Sequence, residues 1–389
     1  IVIGAGPAGA TSALALARRG WSVALIEKTL FPRRKVCGEF ISASNAAVFR
    51  ALGLEEAVSA HAGPEVRRVG IFAGTESVVE VEARRDENGR GWGFAVSREA
   101  LDALIVQAAR SSGVDVLMPW RVIALETRGE RRICTVAKGT TQCEIGTPIV
   151  ILAHGSWEQS TLPTQARRNH RRHDLLAFKA RFQSAPLDRD LMPLLAFPGG
   201  YGGMVNSSDN SLSLTFCIRR DALQSLRGVT DGRAGEIALT HIKTHCASAA
   251  AVLQDASLTS PILAAGPIRP GIRPRYAQGT FRVGNIAGEA HPVVAEGISM
   301  ALQGANLLAT LLAKHEDDAR AGRNLDAIGR LYAAEWRRRF APRIYTAAMF
   351  AHLAMRPAAT TLLAPLFTRF PPLLTWGATL SGKTYLLFE

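Results

Sequence analysis

The sequence predicts a two-domain α/β (α+β) chain: a parallel sheet with an attached β-meander, interleaved with an antiparallel sheet, plus a helical C-terminal region. Three observations predict it. The chain opens on Ile1-Val2-Ile3-Gly4-Ala5-Gly6-Pro7-Ala8-Gly9 and reaches Glu27 within one strand–helix–strand unit. Runs suited to parallel strands recur at Val114 to Met118, Pro148 to Ala153 and Phe281 to Asn285. Between about Leu175 and Leu263 the pattern changes to alternation, as in Phe178-Lys179-Ala180-Arg181-Phe182 and Leu212 to Ile218, the period of half-buried antiparallel strands.

Each element follows in order. Ile1-Val2-Ile3 is the first strand. Gly4 allows a tight turn, Gly6 lets the backbone approach a pyrophosphate, and Gly9 lets the next helix pack on the sheet. The helix Ala10 to Arg19 aims its first N–H groups at that phosphate. Gly20 ends it, Trp21 to Ile26 is the second strand, and Glu27 is placed to accept both hydroxyls of a ribose. A lone Gly-x-Gly-x-x-Gly is a weak signal. The whole unit within ~30 residues is a strong Rossmann-like fingerprint. A loop runs from Lys28 to Phe40, then a helix from Ser42 to Leu52 that stops at Gly53. Arg67 to Glu82 reads as two strands turning near Gly74, and Arg84 to Gly91 as a polar turn. Ser97 caps a helix with Leu101, Leu104, Ile105 and Ala108 at helical spacing, ended by Gly113. Val114 to Met118 is a third parallel strand, and Val122 to Arg128, Ile133 to Lys138 and Gln142 to Gly146 form the meander.

In the antiparallel part, Phe197 to Val205 reads as a glycine-rich turn between strands, and Gly235 to Leu253 as helices. Gly297 to Leu312 is a helix with small residues on one face. From Leu325 to Phe388 the chain is helical, broken by Pro342, Pro357, Pro365 and Pro371-Pro372. The implied division is a cofactor domain in three pieces (1–66, 97–165, 276–315), a substrate domain in two (67–96, 166–275) and the helical region 316–389.

A length of 389 residues supports a sizeable core. The net charge of +13 attracts nucleic acid, anionic lipid or an acidic carrier protein. With no nucleic-acid motif present, nucleic acid is not an expected partner. Much of the charge lies in Arg167 to His173 and in Arg337-Arg338-Arg339, which read either as solvated faces or as partner sites. Five cysteines (Cys37, Cys134, Cys143, Cys217, Cys246) are odd in number and never spaced as CxxC, which points to reduced thiols in a cytoplasmic setting. Cys134 and Cys143 read either as facing across a hairpin or as free buried thiols. The histidines have no metal-ligand spacing, so no metal is expected. No leader pattern is visible and the chain opens inside a strand without Met, so a few residues are expected ahead of it. No apolar run reaches the roughly 18 residues of a spanning helix.

Three separated segments share one pattern: the fingerprint with Glu27, the strand and turn Val150 to Ser156, and Val283 to Ser299. Together, over roughly residues 1–315, they resemble the FAD-dependent oxidoreductases related to aromatic-ring hydroxylases and geranylgeranyl reductases. The resemblance implies FAD held by Gly4, Gly6, Pro7, Ala8, Gly9 and Glu27, then by Lys28, Lys35, Cys37 and Gly38. It adds the backbone of Val122 at the adenine, together with Ala153, Gly155 and Gly284. At Asn285 the family has an acid that bonds the ribitol; the amide keeps a hydrogen bond without the charge. Pro292, Gly297 and Ile298 put a helix N-terminus beside the flavin pyrimidine edge, where the dipole stabilises an anionic reduced flavin. The family's Ala-Asp-Gly is here Ala153-His154-Gly155. That departure leaves the electron donor open among NADPH or NADH, a ferredoxin and a separate reductase.

Lys35-Val36-Cys37-Gly38-Glu39 resembles the Cys-Gly loop of the geranylgeranyl-reductase-like members, which lies near the isoalloxazine. Cys37 either acts at the active-site wall or packs. Arg98 either reaches FAD phosphate or ribose or makes a salt bridge at its helix start. Tyr201 either orients a substrate carbonyl or hydroxyl or closes over core. His291, inside the flavin loop, is the best-placed acid/base group.

The expected activity is an FAD-dependent oxidoreductase on a hydrophobic small molecule, most of all a monooxygenase using a flavin hydroperoxide. The alternative is a geranylgeranyl-reductase-like FAD reductase or dehydrogenase acting on C=C bonds of an isoprenoid or carrier-bound chain, favoured by Cys37-Gly38 and Glu296-Gly297-Ile298. Flavin halogenases carry a Trp-x-Trp-x-Ile-Pro motif, which this sequence lacks. A non-catalytic FAD-fold binding protein need not keep Glu27. The substrate expectation rests on Tyr345 to Leu387, rich in Ala, Leu, Phe, Met and Pro. That composition suits a polyketide, alkyl-aromatic or isoprenoid presented by an acyl carrier or by peripheral contact with the inner membrane face; it also suits a helical cap. Oligomeric state stays open.

Overall fold

Short apolar strands with both faces covered need partners above and below, and the parallel sheet has them. A computed structural model describes residues 1–82, 91–157, 159, 162–165, 169–228 and 231–356, with positions 359, 369, 370, 377, 379, 382 and 383. The sheet runs in the order Tyr276–Ala277, Thr280–Arg282, Ile151–Leu152, Val2–Ile3, Ala24–Ile26, Asp115–Leu117, antiparallel only at the first pair. Alternation sorts its side chains. Val2, Leu25 and Ile151 face the cluster built by the helices Pro7–Ala17, Arg98–Ser111 and Gly297–Lys314. Ile3, Ile26 and Leu152 face Val122, Cys134 and Val136 of the meander Arg121–Arg128, Arg131–Lys138, Thr141–Thr147. Pro7 starts the first helix three residues ahead of Ala10, because its fixed φ suits the first helical position. Ser97 caps its helix by accepting the Ala100 N–H. Cys143 is exposed and Cys134 is buried opposite Ile145, so the two thiols do not face each other.

The second sheet runs Ser257–Leu258, Leu175–Gln183, Leu212–Arg219, Gly200–Asn206, Leu191–Phe197, Arg68–Ala73, Glu76–Glu82, with Leu263–Ile268 also on Leu175–Gln183. The strand Leu191–Phe197 runs parallel to Arg68–Ala73, joining chain segments over a hundred residues apart to one sheet. Helices Ala234–His245 and Ala247–Val252 bury Ile237, Ile242 and Ala249 against Phe178, Phe216 and Ile218.

Several elements differ from the sequence expectation. Phe197 to Val205 is not a turn: only Pro198 and Gly199 (φ +74°) turn, and Gly200–Asn206 is a central strand. Its glycines are packing choices, since a Cβ on Gly200 would overlap the Phe197 ring and one on Gly202 would lie 2.8 Å from the Phe216 Cβ. Residues 42–52 are not one helix. Phe40–Ser42 pairs with Gly93–Ala95, a contact no local pattern reveals, and a short helix Ala46–Ala51 follows. Pro342 does not break its helix: Leu325–Ala354 runs for 30 residues through it. Trp336, Phe340, Ile344, Ala347 and Ala351 form a buried stripe on either side, and that burial outweighs the ~3 kcal/mol an internal proline costs. The breaks at Pro357, Pro365 and Pro371-Pro372, and the polar turn from Arg84, lie outside the described residues.

The stripe's largest member, Trp336, is buried against Gly288, where a Cβ would overlap its ring. Trp336→Ala should lower stability by about 3–5 kcal/mol, measured by urea unfolding.

Candidate active site

The ends of the parallel strands and the face of the antiparallel sheet enclose a cavity of about 590 Å³. Its floor is a glycine cradle. Gly4 (φ +102°) lies so close to the strand Ile151–Leu152 that a Cβ would sit 2.7 Å from the Ala153 carbonyl oxygen. A Cβ on Gly9 would overlap the Gly4 carbonyl, and one on Gly284 (φ +68°) would come within 2.9 Å of the Ala8 Cβ. No side chain caps the helix Pro7–Ala17 at Gly6, so its N-terminus is left to an anion. Glu27 is buried at the cavity edge. Its Oε2 accepts the Ala5 N–H (2.9 Å), and its Oε1 accepts from Thr29 Oγ1 (2.6 Å) and Arg33 Nη1 (2.8 Å). A backbone-hugging diphosphate with a hydroxylated sugar uses these features, and FAD carries both.

Cys37, Gly38, Lys28 and Lys35 line the same cavity, as do Pro7, Ala8, Val122, Gly155, Pro292, Gly297 and Ile298. Lys35 Nζ stands 5.4 Å from the Trp157 ring centroid. Arg98 makes the helix salt bridge, with Nε and Nη2 donating to Asp102 at 2.7 and 2.6 Å, while its Nη2 would lie 3.7 Å from a Cβ on Gly6. The Cys37 loop is tied to the antiparallel sheet: Thr215 Oγ1 donates to the Cys37 carbonyl at 3.0 Å. Glu39 (φ +63°) is fully buried and pairs with the buried Lys179 and with Arg181 Nη2, 3.4 Å from each carboxylate oxygen. Asn285 donates Nδ2 to Glu289 Oε1 at 2.8 Å. Glu289, which also accepts from Ser156 (2.9 Å) and Arg273 (3.2 Å), puts a carboxylate at the cavity wall four residues beyond the expected position.

Two expected residues stand behind the lining. Gly9 serves the cradle from beneath. His291 lies behind Tyr201, its Nδ1 3.1 Å from the Tyr201 hydroxyl. Tyr201 itself lines the cavity beside Cys217, its cross-strand partner. Burial raises the Tyr201 hydroxyl pKa well above its ordinary value and pushes the Cys217 thiol up to about 12. Burial, then the neighbouring His352, lowers His291 to about 4, so its imidazole is neutral at pH 7.

The helix Gly297–Lys314 starts at the cavity, with Glu296 as its N-cap. The Glu296 carboxylate is fully buried, and neither oxygen has a hydrogen-bond partner within 3.5 Å among the described residues. Lys383 Nζ stands 3.7 Å from it and Arg343 Nη1 3.9 Å. Burial pushes the Glu296 pKa up against the pull of those two cations.

Sequence reasoning missed Glu39, Lys179, Thr215, Cys217 and Glu289 as site residues. Lys179 lies on the polar phase of its alternating strand, between the core residues Phe178 and Ala180, so the sequence reads it as exposed and only the contact with Glu39 accounts for its burial. The others are defined by cross-sheet contacts.

A glycine cradle at a helix N-terminus, a ribose-side acid and a second helix N-terminus over one cavity define a dinucleotide-binding protein of the flavin type. The model of the FAD binding domain family matches residues 1–344, and the chain belongs to that family of FAD-dependent oxidoreductases. It is 28% identical over 335 residues to a menaquinone reductase of Mycobacterium tuberculosis, covering 80% of this chain and 76% of that enzyme. It is 33% identical over 150 residues to a tryptophan 2-halogenase of Chondromyces crocatus, covering 38% of this chain but only 27% of that enzyme. The fold is similar to that of PqsL from P. aeruginosa in complex with 2-aminobenzoylacetate, with a TM-score of 0.75, 18% identity and coverage of 94% and 98%. No described helix is long and apolar enough to cross a membrane.

Two predictions follow from this geometry. Lys179→Met should destabilise by about 3–5 kcal/mol, because it leaves the buried Glu39 charge with only Arg181. Adding Glu39→Gln should recover part of that loss, and a urea double-mutant cycle that is additive would deny the coupling. A depressed histidine pKa means that the unfolded chain takes up the proton first. Stability should therefore fall as pH drops from 6.5 toward 4, and His291→Phe should flatten that window in thermal melts.

Proposed function

We propose that the protein is an FAD-dependent monooxygenase acting on a hydrophobic small molecule that carries one hydroxyl group. The observation that supports this reading is Tyr201 in the cavity wall near the apolar Met192, Met204 and Phe216, backed by His291 with its imidazole neutral. A neutral imidazole accepts the Tyr201 proton and leaves the tyrosine oxygen to accept a hydrogen bond from a substrate hydroxyl, as a phenol or enol offers. FAD, when bound, supplies the redox chemistry. The chain's own residues orient the substrate and exclude water, with Met192, Met204 and Phe216 giving apolar wall and Thr215 fixing the Cys37 loop. NADPH or NADH is the proposed electron donor.

Delivery by an acyl carrier or from the inner membrane face belongs to the same proposal. Tyr345 and Met349, 59% and 50% exposed, lie on the long helix about two and three turns beyond the exposed Arg338 and suit that contact. A second reading, a reductase or dehydrogenase of C=C bonds, is favoured by the extent of the similarity to the menaquinone reductase.

The deciding measurement is anaerobic reduction of the FAD-loaded protein by NADPH or NADH, then oxygen uptake with alkylphenols and prenylated quinones. Oxygen consumption matched to a hydroxylated phenol supports monooxygenation, with Tyr201→Phe lowering kcat at least tenfold. Quinone or alkene turnover without oxygen uptake replaces it with the reductase reading.

A further inference from the structure

The run Arg337-Arg338-Arg339 divides on the helix Leu325–Ala354. Arg338 and Arg339 pair with Glu335, at 3.0 and 3.5 Å. Arg337 has no carboxylate within 4.0 Å among the described residues, and neither has Arg330, seven residues earlier. Residues at that spacing share one helix face, about 10 Å apart along its axis. Both arginines are exposed, with the small Ala334 between them.

Two more arginines meet that face from other elements. Arg275, just ahead of the strand Tyr276–Ala277, puts its guanidinium carbon 5.6 Å from the Trp336 ring centroid. Its Nη1 donates to the Arg273 carbonyl at 2.7 Å, while its buried Nε has no partner among the described residues. Arg132, on the meander, lies over the turn at Gly279, where a Cβ would overlap its guanidinium, and donates Nη1 to Thr127 Oγ1. Tyr276 stands between the helix and the meander. Its ring covers Gly329, and its hydroxyl donates to Asp326 at 2.7 Å.

These like charges feel one another. Burial, then the charge of Arg337, lowers the Arg275 pKa. Burial and Asp326 raise the Tyr276 hydroxyl pKa, and Arg132 and Arg330 both act against that rise. No carboxylate lies within 4.0 Å of any of the four guanidinia among the described residues. Gathering unpaired cations costs free energy that a bound anion returns. Guanidinium N–H donors come in planar pairs that match the oxygens of a phosphate group.

We propose that Arg132, Arg275, Arg330 and Arg337 form a binding site for a phosphate group, between the helix Leu325–Ala354 and the turn at Gly279. None of the four lines the cavity that fits FAD. Trp336 separates the two places, facing Arg275 on one side and lining the cavity on the other. The site goes beyond the monooxygenase reading and does not depend on it. The phosphate belongs either to a soluble ligand or to a lipid headgroup, and the test separates these sources.

The first arm is calorimetric titration of the FAD-loaded, full-length protein with inorganic pyrophosphate in phosphate-free buffer. FAD fills the glycine cradle throughout, and its unchanged absorbance shows that it has not been displaced. The second arm is flotation with vesicles of phosphatidylglycerol and phosphatidylcholine. Each arm compares two variants that remove equal charge from the same helix. Arg330→Gln/Arg337→Gln should weaken binding at least tenfold, and Arg338→Gln/Arg339→Gln should leave it unchanged. Saturable pyrophosphate binding without flotation assigns a soluble phosphate ligand. Flotation lost only in Arg330→Gln/Arg337→Gln assigns a lipid headgroup. Equal losses in the two variants would show a diffuse effect of net charge and overturn the site, as would a wild type that binds neither pyrophosphate nor vesicles.

Discussion

The contact on which the site depends is backbone against backbone. Gly4 turns directly over the Ala153 carbonyl, Gly9 presses on the Gly4 carbonyl and Gly284 meets Ala8. Any side chain at these points would part three segments that are far apart in the chain. Their closeness brings the N-terminus of Pro7–Ala17, the turn after Ile151–Leu152 and the loop after Thr280–Arg282 to one cavity. A parallel sheet with a glycine turn at its carboxyl edge leaves N–H groups with no internal partner. The fold thus creates an anion site as a consequence of how it closes.

A second constraint joins that floor to the opposite wall. The Cys37 loop follows directly on the first strand–helix–strand unit, yet Thr215 and Lys179 of the antiparallel sheet hold it. Glu39 is kept in a left-handed backbone conformation while its carbonyl accepts the Val96 N–H and its carboxylate takes Lys179 and Arg181. Breaking that junction would free a loop that touches both layers. Gly38, next to it, has open space on its Cβ side, so its small size serves the cavity and not the packing.

What could be read in the sequence was local. The fingerprint, the Ser97 cap, the meander and the Gly297 helix each declare themselves within a few residues, through glycine placement, capping or period. Phe40–Ser42 was hidden because its partner Gly93–Ala95 lies some fifty residues on, and Gly200–Asn206 because its glycines mimic a turn. Pro342 misled for the opposite reason: a local rule was outweighed by the burial of Trp336 and Phe340. In the site, Tyr201 and His291 were each visible alone. Their hydrogen bond, and His352 beyond it, depend on the meeting of a sheet, a loop and a helix that no spacing encodes.

Three buried carboxylates at the cavity follow one pattern. Glu39 and Glu289 line it and Glu296 stands behind it, between the lining residues Ala295 and Gly297; their cations Lys179, Arg273, Arg343 and Lys383 come from other elements. Burying such pairs costs desolvation that their attraction barely offsets, so apolar side chains would hold these loops at least as firmly. An apolar contact, however, tolerates sliding, whereas a paired charge has one satisfactory position. The segments that bring Gly38, Asn285 and Gly297 to the cavity are those where position matters more than total stability. Lys383 makes the point most sharply: it reaches back from the far end of the chain to donate to the Val294 carbonyl and to neutralise the N-cap of the helix that opens at the cavity. Lys383 therefore fixes the segment before that helix directly, from a position far along the chain.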